Sequence, residues 1–139
     1  MKKNVVLTSL IIVFALLSAC SQSAEEVEDA ILTAGGAVYT KTQLESLGSL
    51  SSDYTNKDGE TTTYTGVPLI ALLEDANLIS GGDSLVFIAS DGYEAGLALE
   101  DALACASCIV AFDDDILRMV MPDMSSKLQV KDVIEISIQ

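Results

Sequence analysis

Cys105 and Cys108, two residues apart in a Cys-Ala-Ser-Cys run, form the one constellation in this chain whose spacing suggests reactivity. Such a pair cycles between dithiol and disulfide when a helix N-terminus depresses one thiol pKa. Here it leads into the apolar segment Ile109–Phe112, and no base stands near it in the sequence. A small structural disulfide, or two buried thiols, is therefore the simpler reading, with thiol redox chemistry as the alternative. A zinc site needs about four ligands, which two cysteines cannot supply. The chain has no histidine. That removes serine triads, Cys-His pairs and the usual general base together. Asp113-Asp114-Asp115 offers the oxygen ligands that calcium takes, or simply a solvated turn. Asp91, Glu100 and Asp101 could exchange protons, or close a turn and cap a helix. Arg118 and Lys131 are scarce cations in an acidic chain. Each either neutralises local repulsion or meets an anionic ligand. No residue is singled out as catalytic, and no metal ligand set is complete.

The elements that would position these groups follow from turn chemistry and periodicity. Ala30–Thr33 and Ala37–Thr40 flank Gly35-Gly36 as a short hairpin. Thr40 and Gln43 form a capping box that opens a helix; Tyr39 and Leu44 are spaced as its hydrophobic staple, and Gly48 ends it. Residues 49–61 are polar and read as a surface loop. A threonine-rich strand, Thr61–Thr65, turns through Gly66-Val67-Pro68 into a second helix, with Pro68 at its first position. Leu69, Leu72, Leu73 and Ala76 give that helix one buried face. Leu85–Ala89 has the continuous apolar character of a central strand. Asp91-Gly92 turns the chain, Gly96–Leu99 reads as a short strand and Glu100–Leu103 as a helical turn. Ile109–Phe112 and Ile116–Val120 are strands around the triple aspartate, followed by a loop over Pro122–Ser126. In the last strand Ile134, Ile136 and Ile138 alternate with Val133, Glu135 and Ser137. The whole is an α+β domain, a mixed β-sheet with few helices.

Upstream of this domain, Lys2 and Lys3 introduce an apolar run that ends in Leu17-Ser18-Ala19-Cys20. The run from Val5 to Leu17 is short for a membrane span, which needs about 20 residues. The pattern resembles a bacterial lipoprotein signal peptide. The resemblance implies cleavage after residue 19 and diacylation of Cys20. Residues 1–19 are then the signal, 20–28 the lipidated cysteine and a tether, and 29–139 the domain. Eight tether residues reach at most about 28 Å, which keeps the domain at the extracytoplasmic face of a bacterial membrane. The mature chain carries 21 acidic and five basic side chains, a net charge of −16. Like-charge repulsion opposes nucleic acid and anionic headgroups, so attachment must come from the acyl chains.

Five segments in order resemble the sulfite-oxidase-type molybdopterin-binding domain. They are Thr65-Gly66-Val67-Pro68-Leu69-Ile70-Ala71-Leu72-Leu73-Glu74-Asp75-Ala76, Ala89-Ser90-Asp91-Gly92-Tyr93, Leu97-Ala98-Leu99-Glu100-Asp101-Ala102, Leu117-Arg118-Met119-Val120-Met121-Pro122 and Val130-Lys131-Asp132-Val133. The resemblance covers nearly all of residues 30–139 and implies that fold in reduced form. It also implies a ligand cleft with Arg118, Lys131 and Tyr93 as ligand-contacting candidates, and molybdopterin as the candidate cofactor. The family's molybdenum-ligating cysteine belongs in the loop before Gly66, and residues 48–64 contain none. The reading is a lipid-anchored, non-catalytic binding or interaction module for a small anionic ligand or a membrane-protein partner. A molybdopterin-dependent oxidoreductase, or a subunit of one, is the first alternative. A thiol redox protein using Cys105 and Cys108 is the second. Replacing Cys20 by serine should abolish acylation and release the exported protein from membranes, as detergent partitioning and mass spectrometry of the N-terminus would show.

Overall fold

The computed structural model describes residues 28–139. The signal segment, Cys20 and the tether up to residue 27 lie outside the described residues. The first two strands, β1 (Ala30–Ala34) and β2 (Ala37–Thr40), form the expected hairpin. Gly35 and Gly36 turn it with φ of 57° and 86°, a left-handed pair that side chains with a Cβ resist. Thr40 then caps α1 (Lys41–Ser46). Its hydroxyl accepts from the Gln43 amide at 3.2 Å, and the Gln43 side chain accepts from the Thr40 amide at 2.9 Å. Tyr39 and Leu44 are both buried beneath this cap. The Glu28 carboxylate accepts from the Thr42 amide at 2.9 Å, a contact that holds its pKa below the usual carboxylate value.

The polar segment after Gly48 is not a loop. It contains β3 (Leu50–Thr55), paired antiparallel along its whole length with β4 (Thr61–Pro68). Hydroxyl and carboxylate side chains form cross-strand pairs on its outer face: Ser51 with Thr65, Asp53 with Thr63, Thr55 with Thr61. A strand that buries so little apolar surface shows no hydrophobic alternation, and cross-strand pairing supports it instead. Helix α2 (Leu69–Asp75) starts one position later than expected, because Pro68 is still extended and paired with Ile109. The Leu69 amide donates to the Cys108 carbonyl at 2.9 Å rather than being left open at a helix start. Gly66 lies against the neighbouring strand so closely that a Cβ there would overlap the Val110 carbonyl and the Ala111 backbone.

β5 (Ser84–Ala89) is followed by β6 (Glu94–Ala98) and α3 (Leu99–Ala104). The strand expected over residues 96–99 therefore lies two residues earlier and yields Leu99 to the helix. Glu94 pairs back onto Ile88 directly after the turn, and the Leu99 amide is taken by the Asp83 carbonyl at 2.8 Å. Glu100 and Asp101 sit in the first turn of α3, and no side chain caps it. β7 (Ile109–Asp113) and β8 (Ile116–Val120) form a hairpin around Asp114, whose φ is 52°. A 3-10 turn, Ser126–Leu128, leads to β9 (Val133–Ile138). In β9 the expected alternation breaks. Ile88 pairs with Glu135 and Ala89 with Val133, so Ile134 is the extra residue of a β-bulge. Val133 and Ile136 are buried while Ile134 is 43% exposed, because a bulge shifts the inward-facing set by one residue.

The strands make two sheets, one ordered β2-β1-β9-β5-β6 and the other β3-β4-β7-β8. β1 and β9 run parallel; the other pairings are antiparallel. A single core lies between the sheets and under α2, built around Phe87, Leu69, Leu72, Leu73, Val110, Met119 and Ile136. Ile109, Ala111 and Val120 are buried on the opposite face of the second sheet, against Leu50, Tyr54 and Tyr64. Burial on both faces accounts for the apolar run Ile109–Phe112 in β7 and for the apolar residues on either side of Arg118 in β8.

The Tyr39 hydroxyl donates to Asp75 Oδ2 at 2.7 Å and ties the first hairpin to α2. Burial and the Asp75 charge push its pKa up to about 12. In the unfolded chain a tyrosine titrates near 10, so this stabilisation is complete below pH 10 and is lost as pH rises through about 12. Tyr39→Phe should cost about 1 kcal/mol near neutrality. The gap between wild type and variant in urea unfolding should narrow across that alkaline window.

Candidate anion-binding site

The β3–β4 ribbon does not lie flat. β3 touches β7 and β8 although it hydrogen-bonds to neither, so the ribbon curls over the outer face of its sheet. Its tip is built by Asn56, whose side-chain oxygen accepts from the amides of Asp58 and Glu60 at 2.9 and 3.0 Å. Opposite the ribbon runs the segment 126–131. The Gln129 side chain holds this segment down, accepting from the Met121 amide at 2.9 Å and donating to its carbonyl at 2.6 Å. The Met119 amide donates to the Val130 carbonyl at 2.8 Å, and Arg118 and Lys131 are bridged through their backbones.

Between ribbon and segment is an open depression of about 470 Å³. Lys57 from the tip, Arg118 from β8 and Lys131 from the crossing segment line it, with Tyr54 and Tyr64 as aromatic walls. Asp58 and Glu60 stand on the same rim. Arg118 is its deepest charge, only 8% exposed. It donates to the Tyr64 hydroxyl at 2.5 Å and to Asp113 Oδ2 at 3.2 Å, and its guanidinium carbon lies 4.9 Å from the Tyr64 ring centroid. Its Nε is buried and has no hydrogen-bond partner among the described residues. A second depression of about 300 Å³ adjoins the first and shares Ser126, Gln129 and Lys131 with it; Lys127, Tyr93 and Asp91 complete its wall. The Tyr93 hydroxyl donates to the Lys127 carbonyl at 3.0 Å, and its amide donates to Asp91 in the turn expected there.

Arg118, Lys131 and Tyr93 are thus brought to one side of the molecule, with Lys131 shared between the two depressions. Sequence reasoning missed Lys57, Lys127, Tyr54 and Tyr64. Four of the five cations among the described residues converge here. The signal was their scarcity, which only the curl of the ribbon turns into a location.

Cys105 and Cys108 lie elsewhere. They form a disulfide with Cα atoms 5.5 Å apart, and Cys105 ends α3 rather than beginning a helix. A helix C-terminus disfavours a thiolate. Cys105 lines a separate shallow depression with Asp101, Pro122, Asp123 and Met124. Asp113 serves Arg118, and no group of three acidic or sulfur side chains converges on a metal position among the described residues. None of the helices among the described residues is long and apolar enough to cross a membrane.

The donors in the paired depressions, cationic and hydroxyl, suit an anion. Neither depression offers a thiolate, so they do not complete the molybdenum ligand set that the family resemblance implies.

The chain has an α+β fold of the sulfite-oxidase type. A crystal structure of the sulfane dehydrogenase SoxCD from Paracoccus pantotrophus is similar to it, with a TM-score of 0.62 and 17% sequence identity over 73% of this chain. The match spans only 34% of that protein's chain. No family model matches the sequence. No curated protein matches it either.

Arg118→Ala should destabilise the domain by about 3 kcal/mol, since it strips half-buried Tyr64 and Asp113 of a buried partner. Lys131 is exposed and makes no ion pair among the described residues. Lys131→Ala should change stability by less than about 0.5 kcal/mol. Urea unfolding of the two variants separates the structural cation from the one free to meet a ligand.

Proposed function

We propose that this chain is a lipid-anchored extracytoplasmic binding module, with a sulfite-oxidase-type fold, that captures a small anion in the depression between the curled ribbon and the segment 126–131. One observation carries the reading: four of the five cations among the described residues of a strongly acidic protein gather at two adjoining depressions. The clustered cations attract an incoming anion, and the Tyr54 and Tyr64 hydroxyls can donate further hydrogen bonds. The surrounding negative charge slows anion approach and favours ligands small enough to sit within the cationic arc. The non-catalytic character rests on the lack of a thiolate at the depressions and on the pairing of Cys105 with Cys108 at another surface. Attachment through Cys20 accounts for how so acidic a domain is held beside a membrane.

The likeness to a sulfane dehydrogenase keeps a second reading open for test, that of a molybdopterin-dependent oxidoreductase or a subunit of one. Metal and pterin analysis of the exported mature protein, from a host that makes the molybdenum cofactor, decides between them. The binding-module reading expects neither molybdenum nor pterin at meaningful occupancy. It also expects calorimetric binding of sulfate or inorganic phosphate over chloride, weakened about tenfold or more by Lys57→Ala/Lys131→Ala. Molybdenum and pterin near one per chain would overturn it in favour of the enzyme. A folded protein that binds none of these anions would overturn the capture role.

A further inference from the structure

A different surface carries a groove beside two β-bulges. β1 and β9 are parallel neighbours, and each holds a β-bulge. In β1, Ala30 pairs with Thr40 and Leu32 with Tyr39, which leaves Ile31 as the extra residue; in β9 the extra residue is Ile134. Bulges re-aim side chains and recur beside functional surfaces. Both isoleucines line one groove of about 390 Å³, together with Phe112 and Ile116 from the β7–β8 hairpin. Asp114, Asp115 and Asp132 rim it, against the single cation Lys41, whose Nζ lies 5.6 Å from the Phe112 ring centroid. The groove therefore joins an apolar floor to a predominantly negative rim.

We propose that this groove docks a segment of a partner protein that presents aliphatic side chains next to lysine or arginine. Charge selects this occupant. Once residues 1–19 are cleaved, the chain's own residues ahead of Ala30 carry Glu25, Glu26, Glu28 and Asp29 and no cation, so the rim repels them. A second copy brings a net charge of −16 after cleavage at residue 19, and anionic lipid carries the same sign. An aliphatic side chain fills the floor between the two isoleucines while a neighbouring cation meets the aspartates, the arrangement that gives an interface both affinity and orientation. The anion depressions share no lining residue with this groove, so either assignment can fail alone.

The test is an NMR titration of the isotope-labelled, exported Cys20→Ser protein. The probe is a capped five-residue peptide alternating lysine and leucine, with glutamate–leucine and lysine–serine peptides as controls. The proposal expects amide shifts concentrated at Ile31, Asp115 and Ile134 with the lysine–leucine peptide alone. Ile134→Ser, at a site already largely exposed, should weaken binding about tenfold, and Asp114→Asn/Asp115→Asn should do so in low salt and less in high salt. Shifts scattered over the acidic surface and insensitive to Ile134→Ser would overturn it. So would a concentration-dependent dimer that Ile134→Ser abolishes, or Ile134-dependent partition onto anionic vesicles.

Discussion

One buried guanidinium organises the side of this domain that carries the paired depressions. Arg118 stands on a strand that is covered on both faces, and an ion there must be paired to be tolerated. Tyr64 and Asp113 supply the pairing from two different elements, β4 and the end of β7. The curl of the β3–β4 ribbon is what brings Tyr64 over the guanidinium. The curl in turn carries Lys57 at the ribbon tip towards Lys131. A charge in the interior, the shape of a polar ribbon and the position of an exposed lysine are thus one constraint seen at three distances.

That constraint explains which parts of the molecule were legible in the sequence. The Gly35-Gly36 hairpin, the Thr40–Gln43 capping box and the leucine face of α2 are local devices, and each is found where local chemistry places it. β3 was not legible, because Ser51, Asp53 and Thr55 pair with Thr65, Thr63 and Thr61 across the ribbon instead of entering a core. Ile134 misled for the opposite reason. It belongs to an apolar alternation that the bulge interrupts, and only the pairing of Ile88 with Glu135 exposes the slip. The ordered motifs that resemble the sulfite-oxidase type pointed to the right fold, since they mark close packing such as Gly66 against Val110. The site was legible only in part. Arg118, Lys131 and Tyr93 stood in those motifs, whereas Lys57 lies at the tip of a ribbon placed by its curl and Lys127 in a segment placed by Gln129.

The two surfaces of interest differ in charge. Four cations gather beside the ribbon, with Asp58 and Glu60 on the same rim, and Asp114 and Asp115 stand at the β7–β8 turn. Asp113 and Arg118, on adjacent strands of one hairpin, sit where the two regions meet. A change at this pair therefore touches both surfaces through the same hairpin.

The strand order has a consequence for when the protein becomes a protein. β9, last in sequence, lies at the centre of the five-stranded sheet, between β1 and β5. A chain emerging from its N-terminus holds two incomplete edges, and β1 cannot find its parallel partner until residues 133–138 arrive. Closing that long loop is slow compared with forming hairpins. Completion of the five-stranded sheet therefore waits on residues 133–138, whichever hairpins form first.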